Sequence, residues 1–176
     1  MFDHPKASQY LSRTKVRKKA FHSITLGGSI PKLFRNGFMA MGDVASQVKP
    51  TTGGGIIFGL KSSIIAAKVA SFAIDNNDVS ENFLKFYQSR CNKVFNFDFD
   101  VMLKFRSFLN SLSDDKLDKI LRFCKKIGLN KTLQNVDEID FQGRTLLKTI
   151  GRPAVSITLF YLFITYLTAN TLNLNK

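Results

Sequence analysis

The sequence predicts a mostly helical α/β chain, one strand–loop–helix unit followed by a run of helices. Three observations predict it. A short apolar run, "GFMAM", ends at Gly42-Asp43. A polar loop with one proline, Pro50, then leads through Gly53, Gly54 and Gly55 into a long apolar stretch that ends at Asp75-Asn76-Asn77. Beyond it, helix caps alternate with apolar residues at helical spacing.

Composition permits a packed core. The chain has 176 residues, 44% of them hydrophobic, and no low-complexity segment or internal repeat is present. Lys and Arg number 26 against 13 Asp and Glu, a net charge of +13. That surplus favours anionic partners such as lipid headgroups, phosphorylated substrates or nucleic acid. Cys91 and Cys124 lie far apart without metal-ligand spacing, which argues against a zinc site or a disulfide framework and fits buried structural thiols in a reducing compartment. "MFDHPKASQYLSRTK" carries no apolar core of a signal peptide, so a cytoplasmic location is expected.

In chain order, "DHPKASQYLSR" suits a short helix after Pro5, and "KAFHSITLGGSIP" an extended stretch turning at Gly27-Gly28 and Pro31. Residues 36 to 42, "NGFMAMG", read as a turn entering a short buried strand that stops at Gly42-Asp43. Such a lone strand cannot satisfy its own backbone groups. Gly53 to Gly55 then open a helix to about Ile74. Its apolar residues fall on nearly every face, which predicts burial all round.

Ser80 is the expected N-cap of a second helix, "ENFLKFYQSRCNKVFNF", and "DVMLKFRSFLNSL" reads as a third. A fourth begins at Ser113, carries Asp114 and Asp115 in its first turn and Lys125 and Lys126 in its last, and stops at Gly128. This charge order complements the helix dipole. Leu117, Ile120, Leu121, Cys124 and Ile127 form its expected apolar face. Residues 129 to 143 are a polar connection. The tail, 153 to 175, is uncharged but diluted by Ser156, Thr158, Thr165, Thr168, two tyrosines and Asn170. It suits docking on a membrane surface or packing against other helices better than spanning a bilayer.

The chemistry concentrates in "GDVASQVKPTTGGG". Adjacent glycines at a helix start carry an entropic cost that a simple turn does not require, so a close approach to that backbone is expected. Their N–H groups and the positive end of the helix dipole suit electron-rich oxygens. Asp43 can accept hydrogen bonds from ligand hydroxyls, and Pro50 stiffens the loop and holds it open.

This stretch resembles the second FAD-binding motif of the glutathione-reductase-type flavoproteins, in the branch of the geranylgeranyl reductases, those acting on digeranylgeranylglycerophospholipids among them. "ENFLKFYQSR" and "LKFRSFLNSLSDDKLDKIL" are similar to segments that follow the motif there. The resemblance covers roughly residues 25 to 165. It implies residues 1–35 as a remnant of substrate-domain strands, 36–77 as the last strand–loop–helix unit of a Rossmann-like FAD-binding domain, and 78–176 as a C-terminal helical domain. Residue by residue, it implies Gly42, Asp43, Pro50, Gly53, Gly54 and Gly55 as flavin contacts.

The same resemblance implies reduction of C=C bonds in the isoprenoid chains of membrane lipids, at a membrane surface that Lys125, Lys126, Lys131, Lys148 and Arg152 can approach. The family's GxGxxG unit, which holds the ADP half of FAD, is not found in this sequence. FAD binding is therefore expected only together with an upstream segment or separate subunit that carries that unit. Aromatic hydroxylases and halogenases share the GD…P…GGG pattern, and a non-catalytic basic membrane module is a third reading. "KVRKK", 15 to 19, lacks interleaved aromatics and a helix-turn-helix frame, so no nucleic-acid partner is expected. No metal ligand and no catalytic residue is assigned; His4 and His22 read as surface or structural residues.

Overall fold

The computed structural model describes residues 5–11, 14, 15, 17–21, 23–134, 136 and 140–173. The described residues are mostly helical. Helix α1 spans Pro5–Leu11, with Pro5 in the first turn where its missing N–H has no cost. An irregular stretch then leads to the hairpin of β1 (Phe34–Arg35) and β2 (Phe38–Met39), antiparallel across the Asn36-Gly37 turn.

The expected lone strand is thus corrected. It is one arm of a hairpin, and Ala40 N–H extends the pairing to Leu33 O at 2.8 Å. It ends before Gly42, whose φ of +68° takes the chain out of extension into a single 3-10 turn, Gly42–Ala45.

Helix α2 spans Ile56–Asp75 and α3 spans Glu81–Asn110. Ser80 caps α3 as expected, its hydroxyl accepting from Phe83 N–H at 3.3 Å. The two helices expected between Glu81 and Asn110 are one continuous 30-residue helix. Nothing between Phe97 and Asp100 breaks the backbone, and the acidic Asp98 that interrupts the apolar pattern is turned inward to an arginine partner.

The main core lies where α2 and α3 pack beneath the hairpin. Phe58 sits at its centre, its ring centroid 5.4 Å from Phe95, 4.9 Å from Phe99 and 5.2 Å from Phe141. Leu33, Val69, Tyr87 and Cys91 complete it. A chain without tryptophan but with 17 phenylalanines builds its core from such rings.

All-round burial of α2 is corrected as well. Phe58, Ser62, Ala66, Val69 and Ala73 are buried, but Ile56 is 81% exposed, Ile64 58% and Ile74 72%. Among the described residues, only one side of this helix meets the rest of the chain. By length and composition it is also apolar enough to cross a membrane, with a mean hydropathy of 1.6.

Helix α4 (Asp114–Lys126) starts after Ser113 as expected, though the Ser113 side chain makes no capping hydrogen bond, and Gly128 adopts φ +74° just past its end. Leu117, Ile120, Cys124 and Ile127 lie on its inner face as expected, and Leu121 is the exception. Leu121 is 66% exposed, and Phe123 turns inward to stack on Tyr161 at 4.2 Å. Helices α5 (Leu129–Gln134), α6 (Gln142–Thr149) and α7 (Pro153–Asn173) follow. Helix α7 packs on α4 and α5 and buries Val155 and Thr158. Its outward side carries Phe160 and Phe163, and α6 meets it at a bend of 114°.

Candidate functional site

The site begins with the 3-10 turn. Ser46 N–H bonds to Asp43 O at 2.9 Å and Gln47 N–H to Gly42 O at 3.0 Å, closing the turn; the Gln47 side-chain oxygen accepts from Gly42 N–H at 2.8 Å. Gln47 is fully buried, its carboxamide beside the Tyr87 hydroxyl, with Cys91 and Ser62 adjoining. Tyr87 donates to Ala40 O at 2.8 Å. Burial raises its pKa above the ordinary phenol range and pushes the Cys91 thiol up to about 11. A neutral polar cluster therefore fixes the turn from below.

From this turn Asp43 projects, exposed, toward the start of α2. A side chain added at Gly55 would bring its Cβ within 2.5 Å of Asp43 Oδ1 and 2.8 Å of Val48 Cγ1. The carboxylate thus sits against the N-terminal backbone of a 20-residue helix, at the positive end of its dipole. Close approach of the 3-10 turn to α2 continues one helical turn later, where Gly42 faces Gly59.

Each of the three glycines meets a demand within the chain itself. Gly53 has φ +75°, a conformation other residues adopt only at a cost. Gly54 lies under the stem of Lys49, where a Cβ would come within 2.6 Å of Lys49 Cε. Gly55 makes room for Asp43 and Val48. What approaches this backbone most closely in the structure is the protein's own Asp43 and Lys49.

The loop is closed rather than held open by Pro50. Lys49 N–H bonds to Gly54 O at 3.0 Å and Gly53 N–H to Lys49 O at 2.8 Å, so the loop pairs with itself. Pro50 is fully buried, and its carbonyl accepts from the Arg106 guanidinium at 2.8 Å. Lys49 Nζ reaches Asp140 Oδ1 at 2.7 Å, and Thr51 Oγ1 donates to Gln142 Oε1 at 2.9 Å. The start of α6 therefore clamps the loop from the other side.

Helix α6 is itself fixed by Asp98 of α3. Asp98 Oδ1 accepts from Arg144 N–H at 2.9 Å, and Oδ2 lies 3.1 Å from Arg144 Nε. Gly143 permits this approach, since a Cβ there would lie 3.1 Å from Asp98 Cα. Phe141 is held between Lys61 and Arg144, with Nζ 4.3 Å and Cζ 4.9 Å from its ring centroid.

All six residues singled out in the sequence, Gly42, Asp43, Pro50, Gly53, Gly54 and Gly55, thus lie in one turn–loop–helix junction. Sequence reasoning missed Gln47, Lys49, Arg106, Asp98 and Asp140, which hold that junction. Gln47 bonds locally to Gly42, but the partners of Lys49, Arg106, Asp98 and Asp140 lie 46 to 91 residues away, where local pattern carries no signal. His4 and His22 fall outside the described residues.

No protein-family model matches the chain. It is 36% identical over 123 residues to the digeranylgeranylglycerophospholipid reductase of Methanocaldococcus jannaschii, a match covering 70% of this chain and 30% of that protein. With digeranylgeranylglycerophospholipid reductase 2 of Methanothermobacter thermautotrophicus it shares 38% identity over 117 residues, 66% of this chain and 29% of that one. The chain thus spans about 30% of the length of the curated relatives it matches. Among solved structures, a geranylgeranyl bacteriochlorophyll reductase-like protein from Thermoplasma acidophilum superimposes with a TM-score of 0.56 at 26% identity, covering 79% of this chain and 33% of that one.

Proposed function

We propose that this chain, homologous over about two-thirds of its length to digeranylgeranylglycerophospholipid reductases, carries a flavin-contacting unit of a FAD-dependent oxidoreductase that reduces C=C bonds in the isoprenoid chains of membrane lipids. The observation that carries the reading is the juxtaposition of Asp43 with Gly55. An exposed carboxylate and glycine backbone meet at a helix N-terminus, on the motif that the resemblance assigns to the flavin.

The residues present fit FAD on its hydroxylated side. A carboxylate accepts from hydroxyl groups and repels phosphate, so Asp43 favours the polyol chain of the cofactor over its pyrophosphate at this position. The α2 N-terminus offers partial positive charge to an electron-rich ring edge beside it. Gln47, Arg106 and Asp140 bind none of this directly; they hold the turn and the loop so that both groups keep their places. When bound and reduced by an electron donor, the flavin would supply the hydride for one alkene carbon, with a proton going to the other. The remaining flavin contacts, a GxGxxG unit among them, are assigned to an upstream segment or partner subunit.

A cytoplasmic position at a membrane surface belongs to the same reading. The basic residues Lys125, Lys126, Lys131, Lys148 and Arg152 belong to α4, α5, α6 and the turn before an aromatic-rich α7, a combination that suits an anionic lipid interface.

Flavin content tests the proposal. Protein purified from its own cells is expected to carry flavin absorbance, and Asp43→Ala to lower flavin affinity by about tenfold or more, the loss of one charge-assisted hydrogen bond. Unchanged flavin occupancy in the variant overturns the assignment.

A further inference from the structure

After Asp3 the chain carries no Asp or Glu until Asp43, and eight Lys and Arg fall in that interval. Two of the eight, Lys32 and Arg35, pair with Glu81. The densest group is "KVRKK" at 15 to 19. Lys15, Arg17, Lys18 and Lys19 are exposed and, among the described residues, join no ion pair.

The described residues from Thr14 to Phe21 form neither helix nor strand. Two residues of extended chain cover roughly 7 Å, within the Debye length of about 8 Å at physiological salt. Neighbouring charges of the cluster therefore meet an anionic surface as one patch. Phe21 follows the cluster and is 93% exposed, and Tyr10 of α1 before it is 83% exposed. Lone exposed hydrophobics are ordinary. Here bare aromatic rings bracket a polybasic run, which suits a segment lying at a lipid headgroup layer.

Other anionic partners fit this arm less well. Single-strand binders set aromatic platforms between basic residues, so that bases stack while phosphates pair, and here the rings stand only at the ends. A protein interface has an apolar centre with charge at its rim, whereas here the charge occupies the centre. A bilayer asks for no shape: phosphates on a plane take the cations, and a ring enters between headgroups.

The arm is tied to the flavin junction. Thr25 Oγ1 and Ser46 Oγ lie 2.6 Å apart, and Ile30 N–H donates to Ala45 O at 3.1 Å. Leu26 stands against Gly53, where a Cβ would meet its Cδ2 at 3.6 Å. From Lys19 to Thr25 the chain can reach at most about 21 Å. The cluster is thus leashed closely to the 3-10 turn, and it is separate from the basic residues of α4–α6.

Resting on the function proposed above, we infer that residues 15–21 are a second membrane contact. Lys15, Arg17, Lys18 and Lys19 hold the phosphates of an anionic bilayer, and Phe21 inserts among the headgroups. The contact keeps the flavin junction at the surface in which its lipid substrate lies. One weak membrane signal gives reversible binding and two together give stable binding.

The chain contains no tryptophan, so Phe21→Trp puts a single indole at the point of insertion. With the full chain and mixed phosphatidylcholine–phosphatidylglycerol vesicles, a saturable blue shift in emission is expected. Phosphatidylcholine alone is expected to give little or none, and raised salt to reverse the shift. Replacing Lys15, Arg17, Lys18 and Lys19 by Ala in the reporter background is expected to weaken binding about a hundredfold or more. The melting temperature is expected to stay unchanged, since these exposed side chains carry no packing. Sedimentation with anionic vesicles without a shift of the indole places the contact elsewhere and overturns the inference. Equal binding to phosphatidylcholine alone, or unchanged affinity in the Ala variant, overturns it as well. Displacement from vesicles by single-stranded DNA at equal phosphate concentration makes the arm a nucleic-acid binder instead. Flavin retention is read separately through Asp43. Vesicle binding by a protein that holds no flavin keeps the arm and overturns the function, and flavin without vesicle binding does the reverse.

Discussion

Lys49 and Asp140, 91 residues apart in sequence, meet at 2.7 Å between Nζ and Oδ1. The contact joins the glycine loop to the start of α6, and the Lys49 stem lies over Gly54 on the way. The Lys49 side chain is 15% exposed and that of Asp140 33%, so the pair is only partly screened by solvent. Asp140→Asn is expected to cost about 1 kcal/mol or less in stability, the upper end for pairs at the surface. The larger effect is expected locally, as faster hydrogen exchange at the amides of Gly53 and Gly54. Exchange unchanged in the variant means that the loop's own backbone bonds suffice to hold it.

Asp98 has a harder task, because it is fully buried and its cationic partner is Arg144. Removing Asp98 leaves the Arg144 N–H unpaired, while the Arg144 side chain, 37% exposed, can turn to water, so the cost is roughly 1–3 kcal/mol rather than that of a fully buried pair. For a chain of this size each kcal/mol lowers the melting temperature by about 2–4 °C. Asp98→Ala is therefore expected to melt roughly 2–12 °C lower, with α6 loosened first. Asp98→Leu combined with Arg144→Met is expected to recover much of the loss. A double variant no better than the single one assigns the loss to the N-terminal cap of α6 rather than to the ion pair.

What was legible in the sequence follows from the range of each interaction. The N-cap Ser80, the Asp114–Lys126 charge order and the Gly128 stop are local, and the structure reproduces them. The turn–loop–helix junction was legible because its six residues lie within fourteen positions of one another. The hairpin was missed because neither two-residue strand is long enough to show alternation. The exposed face of α2 could not be read, since an apolar pattern reports the wish to be covered and not the presence of a cover. The clamp of Lys49, Thr51 and Pro50 by Asp140, Gln142 and Arg106 depends on pairings 56 to 91 residues apart, which no window of sequence contains.

Gly55→Ala tests the junction more directly than removal of a charge. The new methyl would stand 2.5 Å from Asp43 Oδ1 and 2.8 Å from Val48 Cγ1. Asp43 is exposed and can swing away, but Val48 is fully buried, so the 3-10 turn must shift from α2. Overpacking of this kind costs roughly 1–3 kcal/mol. Flavin retention is expected to fall as in Asp43→Ala, since the carboxylate leaves its place. Normal retention in Gly55→Ala together with loss in Asp43→Ala would show that the carboxylate acts without the helix N-terminus beside it.

Cys91 supplies a pH signature for the polar cluster beneath the site. Burial pushes its thiol from 9.0 to about 11, against the Tyr87 and Gln47 side chains, which pull it down. The sign of the linkage follows from which state loses the proton first. Between pH 9 and 11 the unfolded thiol ionises while the folded one stays protonated, so the unfolded state gains free energy of ionisation and stability falls. Below pH 8 the thiol makes no pH-dependent contribution. Tyr87, shifted upward mainly by burial, adds a loss of the same sign that begins only near its ordinary value of 10.0. Urea midpoints measured from pH 7 to 11 are therefore expected to decline from about pH 9 in the parent protein. In Cys91→Ala the decline is expected to be shallower from pH 9 to 10, where the Cys124 thiol, also raised by burial, still contributes, and to steepen from about pH 10 with Tyr87. In the native state at pH 8, Cys91 is expected to resist thiol reagents, and the less buried Cys124 to react first. Coincident pH profiles for parent and variant would place the titration elsewhere and leave Cys91 as simple packing.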